Sequence, residues 1–228
     1  MTAKSTQRAA RGPTKEPEDL GQRERSKREK RRRIGEVARR VFIEKGFDAA
    51  TTREIAAEAE VSVGTVFVYA RDKRELLLMI VNDELDAVTQ RSEAAWVERP
   101  GALLDRLCGL FGERYRYWAG EPALARPVLQ QTSELADDGA DAAGPGTQIH
   151  RFRARRETVL AQLTAIVQQA QAAGEAAPDL DPRRVASLFM TLYVVEVRRW
   201  LQQPQPRAAT GLRRLRDLFA LVIRGVQP

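Results

Sequence analysis

The sequence has few of the side chains that metalloproteins and many enzymes need, with one cysteine, Cys108, and one histidine, His150. A single cysteine excludes an internal disulfide, and one Cys with one His cannot supply a soft-ligand metal site. Paired carboxylates or a glycine-rich phosphate loop do not occur at a recognisable spacing. We therefore predict no catalytic residues, no metal and no cofactor, and the single cysteine suits a reducing cytoplasm.

Long apolar runs are also missing. No stretch approaches the roughly 18 consecutive apolar residues of a transmembrane helix, although 43% of the residues are hydrophobic. The basic N-terminal segment lacks the apolar region of a secretory signal. We therefore expect no membrane contact, and 228 residues suit one or two domains around a sizeable core.

Positive charge is concentrated at the N-terminus. Residues 1–33 hold 12 Lys/Arg and 5 Asp/Glu, whereas the remaining residues carry equal numbers of both signs. Cations placed in this way bind nucleic-acid phosphates in a sequence-independent and salt-sensitive manner. The alternative is a solvated tail that keeps the protein soluble. We favour DNA contact because the charge adjoins the motif described next.

Residues 51–77 have the pattern of a helix-turn-helix. Thr51 or Thr52, Ser62 and Asp72 are the predicted N-caps of three successive helices, because their side-chain oxygens accept from free backbone N–H groups. The second of these helices, Val63 to Tyr69, is slender at its front. A single helix fits the major groove of DNA, which is about 12 Å wide, so this helix is the predicted reader of base edges.

These residues resemble the TetR/AcrR family of transcriptional regulators. The resemblance covers roughly residues 34–77 and is carried by Thr51, Thr52, Ile55, Ala56, Ala59, Val61, Ser62, Gly64, Thr65, Tyr69, Lys73, Leu76 and Leu77. Three positions depart from the family pattern. Glu60 replaces the usual turn glycine, and a non-glycine residue at positive φ costs on the order of 1 kcal/mol. Ala70 replaces an aromatic residue, and Phe67 stands where Tyr is frequent.

The candidate DNA-binding residues have different expected roles. Val63, Thr65 and Phe67 are placed to contact base edges and thymine methyl groups, and Arg53 suits either a base or a phosphate. The complete predicted set is Thr51, Thr52, Arg53, Ser62, Val63, Thr65, Phe67, Tyr69 and Lys73, in which Thr52, Ser62, Tyr69 and Lys73 suit phosphate. The resemblance implies an inverted-repeat operator in double-stranded DNA, a homodimer, and repression relieved by a small-molecule effector.

Helical periodicity continues along the rest of the chain, and no segment has a convincing strand pattern. We predict an all-α protein with three parts. Residues 1–22 form a disordered basic arm, residues 23–71 the helix-turn-helix domain, and residues 72–228 a helical effector-binding and dimerisation domain. Residues 136–146 are predicted to form a loop.

The last two helices are apolar on more than one side, which predicts burial against a second copy of the chain. The alternative is a purely internal core. A small apolar or aromatic effector is expected in a pocket lined by Trp96, Phe111, Tyr115, Trp118, Phe152, Met190 and Tyr193, although aromatic residues at helical spacing are commonly plain core.

Two other functions remain open from the sequence. A non-specific nucleic-acid-coating protein would also use the basic arm, and an all-α enzyme would need catalytic groups that are not recognisable. Activation of transcription is an alternative to repression.

Overall fold

The computed structural model describes residues 17–132 and 146–226. Within these ranges the chain forms helices without strands, so the predicted all-α fold is confirmed. The helices are α1 (Pro17–Lys45), α2 (Thr52–Glu58), α3 (Val63–Tyr69), α4 (Lys73–Trp96), α5 (Leu103–Gly120), α6 (Pro122–Gln131), α7 (Gln148–Ala172), α8 (Pro182–Leu201) and α9 (Ala208–Val226). None of the helices in the described ranges combines the length and hydropathy needed to cross a bilayer.

The first helix begins earlier than the sequence predicts. α1 starts at Pro17, so residues 17–22 are helical rather than part of a disordered arm. Proline suits the first turn of a helix because the backbone N–H that it lacks would have no helical partner there. The rest of the predicted arm, residues 1–16, and most of the predicted 136–146 loop lie outside the described residues.

Helices α1 to α3 form a small head around one apolar core. The α1 residues recur every three or four positions, as the sequence predicts, and meet one apolar side chain from each short helix. The core residues are Ile34, Ala38, Val41, Phe42, Ile55 and Val66, each at most 1% exposed. Gly46 ends α1 with a φ of 80°, a left-handed conformation that glycine adopts without steric cost.

Helices α4 to α9 form a larger body with an aromatic core. Phe219 of α9 packs edge-on against Phe111 and Phe189, with ring centroids 5.7 and 4.9 Å away. Tyr115 packs in the same manner against Trp200. These contacts fix α5 and α8 against α9.

Helix α4 connects the head to the body. Its neighbours are α1 in the head and α5, α6 and α7 in the body. The buried Glu75 carboxylate, 3% exposed, accepts hydrogen bonds from the backbone N–H groups of Gln148 and Ile149 at 2.8 and 3.1 Å. A carboxylate at this place satisfies free donors of the α7 N-terminus and complements its helix dipole. The first turns of α4 and α7 are therefore bound to each other.

Candidate nucleic-acid interface and ligand cavity

The three predicted helix caps are confirmed. Thr51 Oγ1 accepts from the Glu54 N–H at 3.2 Å, and Ser62 Oγ accepts from the Thr65 N–H at 3.1 Å. Asp72 Oδ1 accepts from the Glu75 N–H of α4 at 2.7 Å. These bonds fix where each helix begins, and so they fix which α3 side chains face outward.

The turn between α2 and α3 contains the backbone conformation that the sequence predicts. Glu60 has a φ of 53°, the left-handed region that usually favours glycine. Its carboxylate lies 3.7 Å from the Arg33 guanidinium of α1. The turn therefore forms without the glycine that is typical of the family.

The outward surface of α3 carries apolar and small residues. Phe67 is 47% exposed and Val68 is 73% exposed, while Gly64 lies one turn earlier on the same exposed side. Thr65 and Val63 are half-buried. Val68 and Gly64 are not among the predicted DNA-binding residues, although their four-residue spacing places them on one face.

Two residues predicted to bind phosphate are engaged inside the head. The Tyr69 hydroxyl donates to the Lys27 carbonyl of α1 at 3.1 Å. Lys73 Nζ donates to the carbonyls of Asp48 and Ala50 at 2.9 and 3.2 Å and lies 4.7 Å from the centroid of the Phe47 ring. Both side chains therefore hold the head together, and their phosphate contacts stay predictions.

Lys73→Ala is expected to lower the unfolding free energy by about 1–3 kcal/mol, because two carbonyls lose a charged donor. It should also weaken binding to every duplex, through the loss of one cation and the loosened head. Urea unfolding followed by circular dichroism measures the first effect. Unchanged stability together with a flatter salt dependence of DNA affinity would instead assign Lys73 to phosphate alone.

Much of the positive charge of α1 is neutralised within the head. Arg40 pairs with Glu58 at 2.7 Å, and Lys45 pairs with Glu54. By contrast, Arg25, Lys27, Lys30 and Arg53 are exposed and form no ion pair within the described residues. Lys27 is also next to α3, because its carbonyl binds Tyr69. Arg53 belongs to α2, and the other three cations belong to the N-terminal half of α1.

The body contains a cavity of about 410 Å³ bounded by α4 to α8. Its lining combines apolar side chains with five arginines. The lining residues are Leu85, Arg114, Trp118, Leu129, Thr132, Phe152, Arg153, Arg155, Arg156, Val159, Met190, Thr191, Tyr193, Val194, Val195, Val197 and Arg198. The volume lies within the range of small-molecule sites.

Part of the predicted pocket lines this cavity. Trp118, Phe152, Met190 and Tyr193 are in its walls, and Trp118 Nε1 donates to the Tyr193 hydroxyl at 3.1 Å. The structure places the other three predicted residues elsewhere.

Three predicted pocket residues belong to the packed core instead. Phe111 stacks on Tyr193, with ring centroids 4.2 Å apart, and Tyr115 packs edge-on against both Tyr193 and Trp200. Trp96 lies against the backbone of Gly109, so closely that a Cβ on that glycine would come within 2.2 Å of the indole. Helical spacing identified these side chains as inward-facing but not which of them meet a void.

The arginines of the cavity were not predicted. Arg114 is 5% exposed and donates to the Leu110 carbonyl at 3.1 Å and to the hydroxyls of Thr89 and Ser92 at 3.0 and 3.5 Å. Burial lowers the pKa of Arg114, and the nearby charge of Arg155 adds to this effect. Burial likewise lowers the pKa of Arg198, with a further contribution from Arg156.

Alternating ion pairs connect an arginine of the cavity wall to α1 in the head. We call this set of side chains the relay, and it consists of Arg155, Asp86, Arg151, Asp83 and Arg31. Arg155 Nε binds Asp86 Oδ1 at 2.6 Å, and Asp86 Oδ2 accepts from Arg151 Nε at 2.9 Å. Asp83 then accepts from Arg151 at 2.6 Å and from Arg31 of α1 at 2.7 Å. Although burial opposes it, these two hydrogen bonds hold the pKa of Asp83 below its ordinary value.

Cys108 and His150 take no part in the cavity lining. Burial raises the pKa of Cys108 to about 11, which keeps the thiol protonated and unreactive at neutral pH. His150 is exposed in the first turn of α7. Across the described ranges, no three His, Cys, Asp or Glu side chains come together as a metal site would require.

A capped helix-turn-helix with an exposed second helix, on a helical body, defines a DNA-binding transcriptional regulator. Residues 34–80 match the family model described as bacterial regulatory proteins of the tetR family. The transcriptional repressor KstR of Mycobacterium tuberculosis is 26% identical over 206 residues, which cover 89% of this chain and 84% of KstR.

Two solved structures have the same fold. A TetR-family regulatory protein from Rhodococcus RHA1 has a TM-score of 0.60 and 26% identity, covering 87% of this chain and 97% of that one. The TetR-family repressor FadR of Thermus thermophilus, solved with lauroyl-CoA, has a TM-score of 0.61 and 24% identity, covering 83% and 93%. Residues 34–80 thus match the DNA-binding region of the tetR family, and most of the chain is similar to transcriptional regulators of that family.

Proposed function

We propose that this protein is a dimeric repressor that acts by binding rather than by catalysis, and that an anionic amphipathic ligand releases it from DNA. The observation that carries the proposal is that α4 contacts both the head and the body. It packs against α1 in the head, and its Leu85 lines the cavity. A ligand that changes the position of α4 would therefore move the recognition helix.

We place the DNA-binding domain from α1 through residue 71 and the effector and dimerisation domain from Asp72 onward. Within the first domain, Val63, Thr65 and Phe67 would meet the bases, and Val68 joins them because of its exposure. Arg53 and Lys27 would meet phosphates, since both are exposed cations without an ion-pair partner in the described chain. Half-sites one helical turn apart require two copies of the head about 34–36 Å apart.

Helices α8 and α9 supply the proposed dimer surface. Leu188 and Val195 lie seven residues apart on α8 and are 45% and 44% exposed, while Leu221 of α9 is 63% exposed. These are three of the six large apolar side chains exposed among the described residues. Their concentration on the last two helices supports a second copy as the covering partner.

The cavity lining supports an effector with an apolar body and negative charge. Phe152, Val159 and Met190 supply apolar walls, whereas Arg156 and Arg198 supply cations with no carboxylate partner in the described chain. The predicted apolar or aromatic effector is thus extended by an anionic group. Lauroyl-CoA, which the Thermus FadR structure contains, has both properties and is a suitable probe.

We propose that the relay transmits ligand binding to the head. An anion near Arg155 would compete with Asp86 for its guanidinium and change the pairing of Arg151 and Asp83 in turn. Each exposed pair contributes about 0–1 kcal/mol alone. The relay is therefore suited to altering the position of α1 against α4 without unfolding either helix.

Asp83→Asn is expected to reduce the factor by which lauroyl-CoA weakens operator binding by about three- to tenfold, because it breaks the link between Arg151 and Arg31. Ligand affinity without DNA and DNA affinity without ligand should each change less than about threefold, since Asp83 lies outside the cavity and the recognition helix. Fluorescence anisotropy with a labelled operator, at increasing lauroyl-CoA, measures the factor.

Glu84→Gln is the matched control for this prediction. It breaks a second ion pair between α1 and α4, from Arg39 to Glu84 at 2.8 Å, that is not part of the relay. An equal loss of coupling in both variants would mean that general α1–α4 attachment matters and not the relay.

The proposed function is tested by selecting fragments of bacterial genomic DNA with the purified protein, followed by footprinting. Protection of an inverted repeat by a dimer, with release on addition of an amphipathic anion, is the expected result. Uniform coating of unrelated duplexes would overturn the proposal in favour of a non-specific nucleic-acid-binding protein.

A further inference from the structure

Arg114 is a buried cation for which the described chain supplies no anion. Its three hydrogen-bond partners, Thr89, Ser92 and the Leu110 carbonyl, are neutral. Both hydroxyls also donate to carbonyls of their own helix, so the protons that they offer are already used. A guanidinium has five N–H donors, and three contacts leave some of them available.

Arg155 differs from Arg114 in this respect. Arg155 is similarly buried but binds the Asp86 carboxylate at 2.6 Å. Burying an uncompensated charge costs several kcal/mol, so buried cations are normally paired with an anion. Arg114 lies in the wall of the cavity, so an anion in the cavity would supply the missing partner.

A second polar group adjoins Arg114 in the wall. The Tyr193 hydroxyl accepts from Trp118 Nε1, and its own proton has no acceptor among the described residues. Arg114 and Tyr193 both line the cavity, and the charge of Arg114 acts against the rise in the pKa of Tyr193 that burial causes. Both can donate to the same anion.

We infer that the ligand carries a carboxylate at its buried end, held by Arg114 and Tyr193, in addition to any anionic group near Arg156 and Arg198. This inference rests on the proposed effector cavity and specifies its ligand class: an amphipathic molecule with negative charge at both ends of an apolar body. A single buried cation balances a carboxylate but not a phosphate dianion. A planar carboxylate also matches the forked donors of a guanidinium.

Dodecanoate and dodecanedioate are the probes, because they share a chain length and differ by one terminal carboxylate. Isothermal titration calorimetry of the full chain, below micellar concentrations, is expected to give about tenfold or tighter binding for the diacid. In Arg114→Met this order should reverse, because the second carboxylate would enter an apolar wall without a partner.

Arg116→Met is the matched control on the same helix. Arg116 is exposed, pairs with Glu113 and does not line the cavity, so the preference for the diacid should persist. Arg114→Met should keep or raise the melting temperature of the ligand-free protein, since it removes an unpaired buried charge. A clear drop in melting temperature with an unchanged diacid preference would assign Arg114 to structure and overturn the inference.

The remaining outcomes separate this inference from the proposed function. Equal affinity for both acids in the unaltered protein would overturn only the inference of a buried carboxylate. The proposed effector cavity would still stand. Failure of both probes to bind overturns the anionic effector and this inference together, while DNA binding is measured independently.

Discussion

Phe67→Glu is expected to lower affinity for the selected inverted repeat by about 100-fold or more while leaving helix content unchanged. Phe67 is half-exposed on the recognition helix, and losing the match at one base-pair position costs about 1–3 kcal/mol. A carboxylate at the same place would also face DNA phosphates, and a dimer would carry the change twice. Fluorescence anisotropy at fixed salt, with operator and scrambled duplexes, measures the loss.

Phe67→Tyr is the conservative control. It keeps the ring and adds the hydroxyl that is frequent at this position in the family, so operator affinity should be retained. If Phe67→Glu and the unaltered protein bind the operator equally well, α3 does not enter the groove through this face, and the assignment of the recognition surface is wrong.

The double variant Leu188→Glu with Leu221→Glu is expected to convert the dimer to a monomer and to lower operator affinity by about 100-fold or more. Both side chains are exposed on the proposed interface, and negative charges brought together there oppose association. Linking two DNA-reading heads raises affinity by roughly two to four orders of magnitude over one head. Light scattering after size exclusion measures the mass, and anisotropy measures the affinity.

Ile43→Glu serves as the control for adding charge at an exposed apolar position. Ile43 is 38% exposed on α1, outside α8 and α9, so the dimer should persist in this variant. A double variant that remains a dimer would place the interface on another surface of the body.

Local hydrogen bonding explains why the head could be predicted from sequence. The caps at Thr51, Ser62 and Asp72 each bind a backbone N–H three residues further along, so sequence spacing alone locates them. The left-handed backbone of Glu60 could likewise be predicted, because Glu60 occupies the turn position at which the family usually has glycine. Features that depend on a few neighbouring residues can be read in this way.

The cavity depends on contacts between distant segments and could be predicted only in part. Tyr115 and Trp118 lie on the same inward face of α5, yet one packs against Trp200 and the other borders a void. The buried Arg114 is surrounded by α4 hydroxyls more than twenty residues away. From sequence alone, an arginine at such a position is expected at the surface. Its burial becomes evident only when the packing of α4 against α5 is known.

The bond between Glu75 and the start of α7 limits how a signal from the cavity can reach DNA. Sliding α4 along α7 would strip two donors from a carboxylate that has almost no contact with solvent. Leaving such a charge unsatisfied is costly. We therefore expect α4 and α7 to rotate together about a point near the head. A small rotation in the body would then change the separation between the recognition helices of the two subunits.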